Sequence, residues 1–314
     1  MIWSVSTAKI FEQCQRKWFF KTQFSNSNPK TRDLERRRAY LLGKLQSISA
    51  WRGNVVDQIL SKQVLPAFER GWSISEHKAI AAAMSLFDKQ LEIGRLHRLH
   101  EAGFNPSDDA DFVAFYDLEY KGLLAEQEVE RARDEVKRAL SAFFSMDDLI
   151  ERLRTANRLI TQRSLSFAHA DASVRAVPDV LVFKGSSAPT IIDWKVHVFG
   201  WRDAWLQLAV YATALAHCEP HKDFPVPTNQ FRETDIELLE VQLLRGTIRT
   251  HNLAEEHFHR ADAFIARTAE SMTLALDGMN GKAWSLPRTD FPVTRYAGAC
   301  QSCPYRSICW EITS

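Results

Sequence analysis

No run of this chain is apolar for long enough to cross a bilayer, which takes about 20 predominantly apolar residues. The start, Met1-Ile2-Trp3-Ser4-Val5-Ser6, has no basic segment leading into a long apolar core, so no secretory leader is expected. No G-x-x-x-x-G-K-[ST] loop occurs, which excludes the common phosphate-loop ATPases. No internal period points to a repeat architecture. Charge of one sign is not in excess either: 40 Lys and Arg face 39 Asp and Glu, for a net +1. Any polyanion-binding surface must therefore be a local patch. What remains, 314 residues with 45% hydrophobic and 25% charged side chains, can bury a sizeable core as one large or two smaller domains.

Cysteine is scarce, with five in the chain, but four of the five sit near its two ends. Cys14 is near the start, and Cys300, Cys303 and Cys309 form a C-x2-C-x5-C cluster near the finish. Three thiols within ten positions, in a chain without a leader, fit metal ligation in a reducing compartment better than disulfides. Three thiolates leave a four-ligand site one short, and Cys14 is the natural fourth. Soft thiolates select zinc or an iron–sulfur cluster, and both accept four cysteines. The isolation of Cys14 leans toward a cluster, because zinc usually takes two short knuckles. Cys218 lies on an apolar helical stretch and reads as core.

The spacing of apolar residues predicts a helix over Thr7–Lys21, containing Cys14. The basic run Lys30, Arg32, Arg36, Arg37 and Arg38 reads as a solvated face. Arg52-Gly53 reads as a turn entering a helix, and Ser73-Ile-Ser-Glu76 as a capping box opening a long helix toward His100. After a break at Asn105–Asp109, a further helix is predicted over Leu123–Phe144, so residues 62–155 are mostly helical. Leu159–Phe167, Ala172–Phe183 and Thr190–Val196 read as three consecutive strands, the last two joined by a hairpin at Gly185–Pro189. An amphipathic helix over Trp201–His217, a strand over Ile236–Leu244 and a helix over Asn252–Leu276 follow. The pattern is an α/β core preceded by a helical insertion.

Two carboxylates fall in adjacent predicted strands: Asp179 after Pro178, and Asp193 in Ile191-Ile192-Asp193-Trp194-Lys195. An aspartate among strand-forming apolar residues is costly unless it is paired or binds a cation, and two brought together repel. Lys195, two positions on, shares a strand face with Asp193. Carboxylates to hold a divalent metal, with an ammonium beside them, meet the needs of phosphodiester hydrolysis. A simple same-face ion pair is the other reading of D-x-K.

Together Pro178-Asp179, Asp193-Trp194-Lys195 and Gln207-Leu-Ala-Val-Tyr211 resemble the PD-(D/E)XK nucleases, specifically the RecB-like branch with its Q-x-x-x-Y motif. The opening, through Cys14-Gln-Arg-Lys17-Trp-Phe-Phe, and the terminal cysteine triplet are similar to iron–sulfur members, among them CRISPR-associated RecB-like and AddB-type nucleases. The resemblance implies a restriction-endonuclease-like core, a mixed central sheet flanked by helices, with a large helical insertion. It divides one nuclease unit into cluster-binding and first-motif helices at 1–61, the insertion at 62–155, the catalytic core at 156–250, and a helix with the cluster-binding tail at 251–314. It implies a [4Fe-4S] cluster on Cys14, Cys300, Cys303 and Cys309. Mg2+ or Mn2+ would be held by Asp179, Asp193 and the backbone carbonyl of Trp194, with Lys195 acting on water and Gln207 and Tyr211 lining the site. One position departs from the pattern: Gly53-Asn-Val-Val-Asp57 places an aspartate where the branch usually has histidine, so Asp57 is a candidate ligand or a helix-surface acid. The implied activity is metal-dependent DNA hydrolysis by an exonuclease or a flap- or end-processing enzyme, in repair, recombination or defence. DNA with single-stranded regions or ends is the implied partner, a separate helicase would supply any unwinding, and the setting is cytoplasmic. The alternative is a non-catalytic iron–sulfur DNA-binding subunit.

Overall fold

The computed structural model describes residues 1–197, 204–277 and 282–310, the last without its side chain. Residues Trp201–Asp203, the predicted start of one helix, lie outside the described residues. Two compact units are formed, the first from Met1–Val5, Ile48–Phe87 and Glu126–Ala266, the second from Ser6–Ser47, Asp88–Ala125 and Arg267–Ser314. The mostly helical residues 62–155 are shared between them.

The strands are β1 (Ile2–Trp3), β2 (Leu45–Gln46), β3 (Ala114–Phe115), β4 (Arg158–Thr161), β5 (Leu165–His169), β6 (Ala172–Ala176), β7 (Val180–Phe183), β8 (Thr190–Lys195), β9 (Glu237–Gln242) and β10 (Thr247–Thr250). In the first unit five strands form a mixed sheet in the order β10-β9-β8-β7-β4. Only β8 and β9 run parallel within it. Thr190 through Trp194 are all buried, the run expected of a strand covered on both faces. The parallel step from β8 to β9 requires a crossover, and the helix Ala204–His217 lies on it. That helix is not amphipathic as its pattern suggested: Ala204, Leu206 and every residue from Leu208 to Ala216 are buried, so it is covered nearly all round. Cys218, just after it, is core as expected. The edge strand β10, absent from the sequence reading, is exposed throughout and carries Arg249.

Two of the three predicted strands each divide in two. Leu159–Phe167 breaks at Gln162, whose φ of 51° ends the extended run. Ala172–Phe183 breaks at Pro178, which has no N–H to donate to a ladder. The inner halves, β5 and β6, pair as a hairpin in a separate three-stranded sheet with β1, while β4 and β7 pair in the five-stranded sheet. The hairpin between β7 and β8 falls where Gly185–Pro189 placed it, with Gly185 at φ 60°.

The predicted Arg52-Gly53 turn is instead helical, within Ile48–Ile59. The long helix begins at Glu76, and the cap is Ser75 rather than Ser73: the Lys78 amide donates to Ser75 Oγ at 3.3 Å. The helix stops at Arg95 and is followed by a 3-10 turn, Arg98–His100.

In the second unit the predicted Thr7–Lys21 helix is interrupted at Cys14. Val5–Gln13 and Gln15–Phe19 are separate helices, and Cys14, extended at φ −163°, caps the second by accepting the Lys17 amide at 3.4 Å. Behind this break Phe19 stacks on Phe291 with centroids 4.1 Å apart, and Arg16 Nε donates to the Phe291 carbonyl at 3.1 Å. The basic run is not uniformly solvated. Lys30 and Arg32 are exposed, but Arg37 is buried and donates to the carbonyls of Ser27 and Phe104 at 2.6 and 2.7 Å. Arg36 lies 4.1 Å over the Trp284 ring.

Gly94 gives a direct test of packing in this unit. A Cβ there would meet the Phe115 ring at 2.3 Å. Alanine in a helix interior ordinarily gains about 1 kcal/mol over glycine, but overpacking against a buried ring costs about 1–3 kcal/mol. We therefore expect Gly94→Ala to lower stability by about 1–2 kcal/mol in denaturant unfolding. A stabilised variant would contradict the packing of Gly94 on Phe115.

Candidate active site

Asp179 immediately precedes β7, and Asp193 lies inside β8. Asp179 Oδ2 accepts the Trp194 amide at 2.8 Å, which ties the two carboxylate positions together. The Ile48–Ile59 helix brings in Asp57, and the link is Gln162: its Nε2 donates to Asp57 Oδ1 at 3.0 Å and to Asp179 Oδ1 at 3.2 Å. Lys195 pairs with Asp193 Oδ2. On the crossover helix Gln207 accepts from Lys195 Nζ at 3.5 Å through Oε1, while its Nε2 reaches Asp193 Oδ1 at 3.3 Å and Tyr211 Oη. Asp57, Gln162 and Asp179 thus form one hydrogen-bonded set and Asp193, Lys195, Gln207 and Tyr211 another, joined in the first unit through the Trp194 backbone amide.

The site's electrostatics are those of carboxylates held against their preference. Burial, reinforced by the nearby Asp193 charge, pushes the Asp179 carboxyl up to about 7. Asp193, only 2% exposed, is raised by burial and by Glu240, against the opposing pull of Lys195. Burial also raises Asp57, opposed by the hydrogen bond from Gln162. Tyr211 is raised by burial and by the Asp193 charge, so it stays a neutral phenol.

An all-oxygen donor set in which carboxylates raise one another's pKa fits a hard divalent cation, which would relieve the repulsion. The Trp194 carbonyl is suitably placed as well. In an extended strand the N–H and C=O of one residue face the same edge, and the Trp194 N–H faces Asp179.

Several contributing residues carried no sequence signal. Gln162 is a lone amide in an apolar run. Glu240, 2% exposed, is the register partner of Asp193 across β8 and β9, and His251 Nε2 lies 2.8 Å from its carboxylate. The alternation in Ile236–Leu244 marked the strand but not which strand it joins. Arg52 bonds Glu135 and the Val196 carbonyl, anchoring the end of β8 to two helices of the unit.

The four end-of-chain cysteines also converge. Cys14, Cys300, Cys303 and Cys309 line one cavity in the second unit, with Lys17 and Tyr305. Burial pushes the Cys303 thiol up to about 11, with Cys14 and Cys309 adding to the rise and Lys17 opposing it. Burial raises Cys309 too, although Arg16 Nη1 approaches its sulfur at 4.0 Å. Four such thiols can all ionise only around a cation, so the set fits a metal centre. Among the described residues, His97, His100 and Glu119 offer three ligand atoms within 4.8 Å of one another.

A mixed sheet in which an antiparallel hairpin gives way to a parallel strand across a helix, with acidic residues where the hairpin meets that helix, is a restriction-endonuclease-like α/β core. The chain belongs to the PD-(D/E)XK nuclease superfamily, whose sequence model matches residues 2–310. Members are generally nucleases that act on DNA and use divalent metals such as Mg2+ or Mn2+. The crystal structure of SSO0001 is similar at 14% identity, over 62% of this chain and 78% of that one, with a TM-score of 0.27. A comparison with curated proteins gives no significant match. No described helix is long and apolar enough to cross a membrane.

Proposed function

We propose that the chain is a Mg2+- or Mn2+-dependent deoxyribonuclease of the RecB-like branch, processing DNA ends or flaps, with a [4Fe-4S] cluster as a structural element. The observation that carries the reading is the network joining Asp57, Asp179, Asp193, Lys195, Gln207 and Tyr211. Asp57, Asp179, Asp193 and the Trp194 carbonyl would hold the divalent cation, which supplies charge neutralisation and a more acidic water. Lys195 orients the attacking oxygen and offsets charge gathering on the phosphate. Gln207 fixes Lys195 relative to Asp193. Tyr211 accepts from Gln207 and so keeps its own hydrogen as a donor to a phosphate oxygen. Water oxygen bonds to phosphorus as the P–O3′ bond breaks, leaving a 5′-phosphate and a 3′-hydroxyl.

The thiols support a cluster over zinc. Here Cys14 stands apart from the Cys300–Cys309 triplet by almost the whole chain, whereas zinc usually takes two short Cys-x-x-Cys knuckles. Residues 156–250, with Asp57 from 1–61, supply the proposed catalytic core, and the cluster would join Cys14 to the Cys300–Cys309 segment of the tail within the second unit. A helicase in the same complex would supply any unwinding, and the free thiols suit the cytoplasm.

Anaerobically purified protein should cut end-labelled single- or double-stranded DNA with Mg2+ or Mn2+ and stop with chelator. Asp57 decides between an active enzyme and a binding subunit, because it stands in place of the branch's histidine. We expect Asp57→Asn to raise the Mg2+ requirement on the order of tenfold or more, the size found when even an outer-shell partner is lost. Asp57→His should retain activity with a shift toward Mn2+, since imidazole is the softer ligand. A wild-type protein inert on every DNA form, yet binding DNA with a steep salt dependence, would transfer the reading to the non-catalytic subunit.

A further inference from the structure

His97, His100 and Glu119, in the second unit, take part in none of the chemistry above. Glu119 Oε2 lies 2.7 Å from His100 Nε2 and 3.1 Å from His97 Nε2, and the three ligand atoms fall within 4.8 Å of one another. The local fold explains the convergence. His97 caps the 3-10 turn that ends at His100, and this tight turn brings the two rings together, with centroids 5.7 Å apart. Leu99, fully buried between them, pins the turn. Glu119 comes from the helix Tyr116–Lys121.

Two unfavourable features meet at His97. Its backbone is left-handed, at φ 48° and ψ 46°, a conformation that costs any residue with a Cβ. Its Nδ1 is buried and has no hydrogen-bond partner. One hydrogen bond from Nε2 to a shared carboxylate oxygen is a small return for both. A bond from Nε2 to a metal ion is a much larger one.

We propose that His97, His100 and Glu119 form a zinc-binding site. Two imidazoles and one carboxylate are a known zinc donor set that leaves a fourth position for water. The imidazoles exclude Mg2+ as the resident ion and select a borderline transition metal. Bonds of about 2.0–2.1 Å in tetrahedral geometry space ligand atoms roughly 3.4 Å apart, a small widening of the distances present. The site has a clear mechanical role. The helix that carries Glu119 also carries Tyr116 and Tyr120, whose hydroxyls donate to the carbonyls of Gln301 and, at 2.6 Å, Pro304. Arg306 lies 3.9 Å over the Tyr120 ring. Zinc here would hold the helix on which the Cys300–Cys309 segment rests.

The test is equilibrium dialysis of chelator-treated protein against micromolar ZnCl2, with bound zinc measured by mass spectrometry. Wild type should bind one zinc per chain more than His100→Gln or Glu119→Gln, and His100→Cys should restore it. All variants keep their cysteines, so any thiol-bound zinc is common to them and cancels. Added zinc should raise the melting temperature of wild type more than that of His100→Gln. Equal zinc content in wild type and both ligand variants would overturn the proposal. If the variants do not fold, crystals of wild type soaked in ZnCl2 provide the second measurement. An anomalous peak between His97, His100 and Glu119 is expected, and its absence there overturns the site.

Discussion

Replacing Asp193 with asparagine is expected to abolish metal-dependent DNA cleavage, by on the order of a thousandfold, with a far smaller effect on the melting temperature. The two halves of this result have one cause. Asp193 is 2% exposed, adjoins Glu240 in register, and has a raised pKa even though Lys195 opposes the rise. A carboxyl whose pKa in the folded state exceeds its unfolded value contributes stability as pH falls through the folded pKa and loses it as pH rises. Burial therefore makes the charge at this position a cost to the fold that Lys195 only partly offsets. Asparagine removes the charge and keeps the shape, with one oxygen left to accept from either Lys195 or Gln207. The proposed site needs the charge that the fold disfavours. Cleavage rate and thermal melting, measured on the same preparation at pH 7.5, separate the two effects. Wild-type cleavage by the variant would remove Asp193 from the proposed site, and a fall in melting temperature parallel to the activity would mean that the residue is structural.

Replacing Cys303 with serine is expected to have the largest effect on stability in the molecule. On the cluster reading, wild type carries about four irons and absorbs broadly near ~400 nm, and the variant is colourless. Binding energy of a structural metal centre is folding energy, of order 10 kcal/mol even for a zinc site. Losing a good part of it, roughly 5 kcal/mol, lowers the melting temperature by more than about 10 °C in a chain of this size. The effect should be shared among ligands: Cys14→Ser should match Cys303→Ser, and the double variant should be little worse than either. This coupling distinguishes a common centre from independent buried thiols, whose losses would add. A colourless wild type containing one thiol-bound zinc would replace the cluster with the other thiolate metal. Unchanged melting in Cys14→Ser would remove that residue from the centre.

The parts legible in the sequence were those whose chemistry is local. The strand runs, the Gly185–Pro189 hairpin and the class of fold followed from periodicity and turn residues. Asp179, Asp193 and Lys195 stood out as charged residues in apolar strand runs, whereas Gln207 and Tyr211 entered only through the resemblance to the RecB-like branch. The parts that stayed hidden depend on partners far along the chain. Nothing near Glu240 indicates that β9 would align it with Asp193. Nothing in Leu159–Phe167 reveals that its second half leaves for another sheet, because both halves are equally strand-like. Arg37 belongs to a run that reads as solvated, and it is buried only because carbonyls of Ser27 and Phe104 receive it. Even Cys14, recognised as a ligand candidate, lay inside a predicted helix. Its sulfur accepts the Lys17 amide as a cap, and serine-like capping by cysteine is not a strong sequence signal.

Gln162 is where the backbone and the site ask for different amino acids. At φ 51° the chain would be most at ease with glycine, and asparagine would be tolerated. Glycine, however, has no side chain to donate to Asp57 and Asp179, as the Gln162 amide does. Drift under selection for folding alone leads toward glycine, while drift under selection for the carboxylate pair cannot. The position is thus a natural marker among relatives. Copies that keep an amide here still maintain the pair, and copies that relax to glycine have kept the scaffold and let the chemistry go.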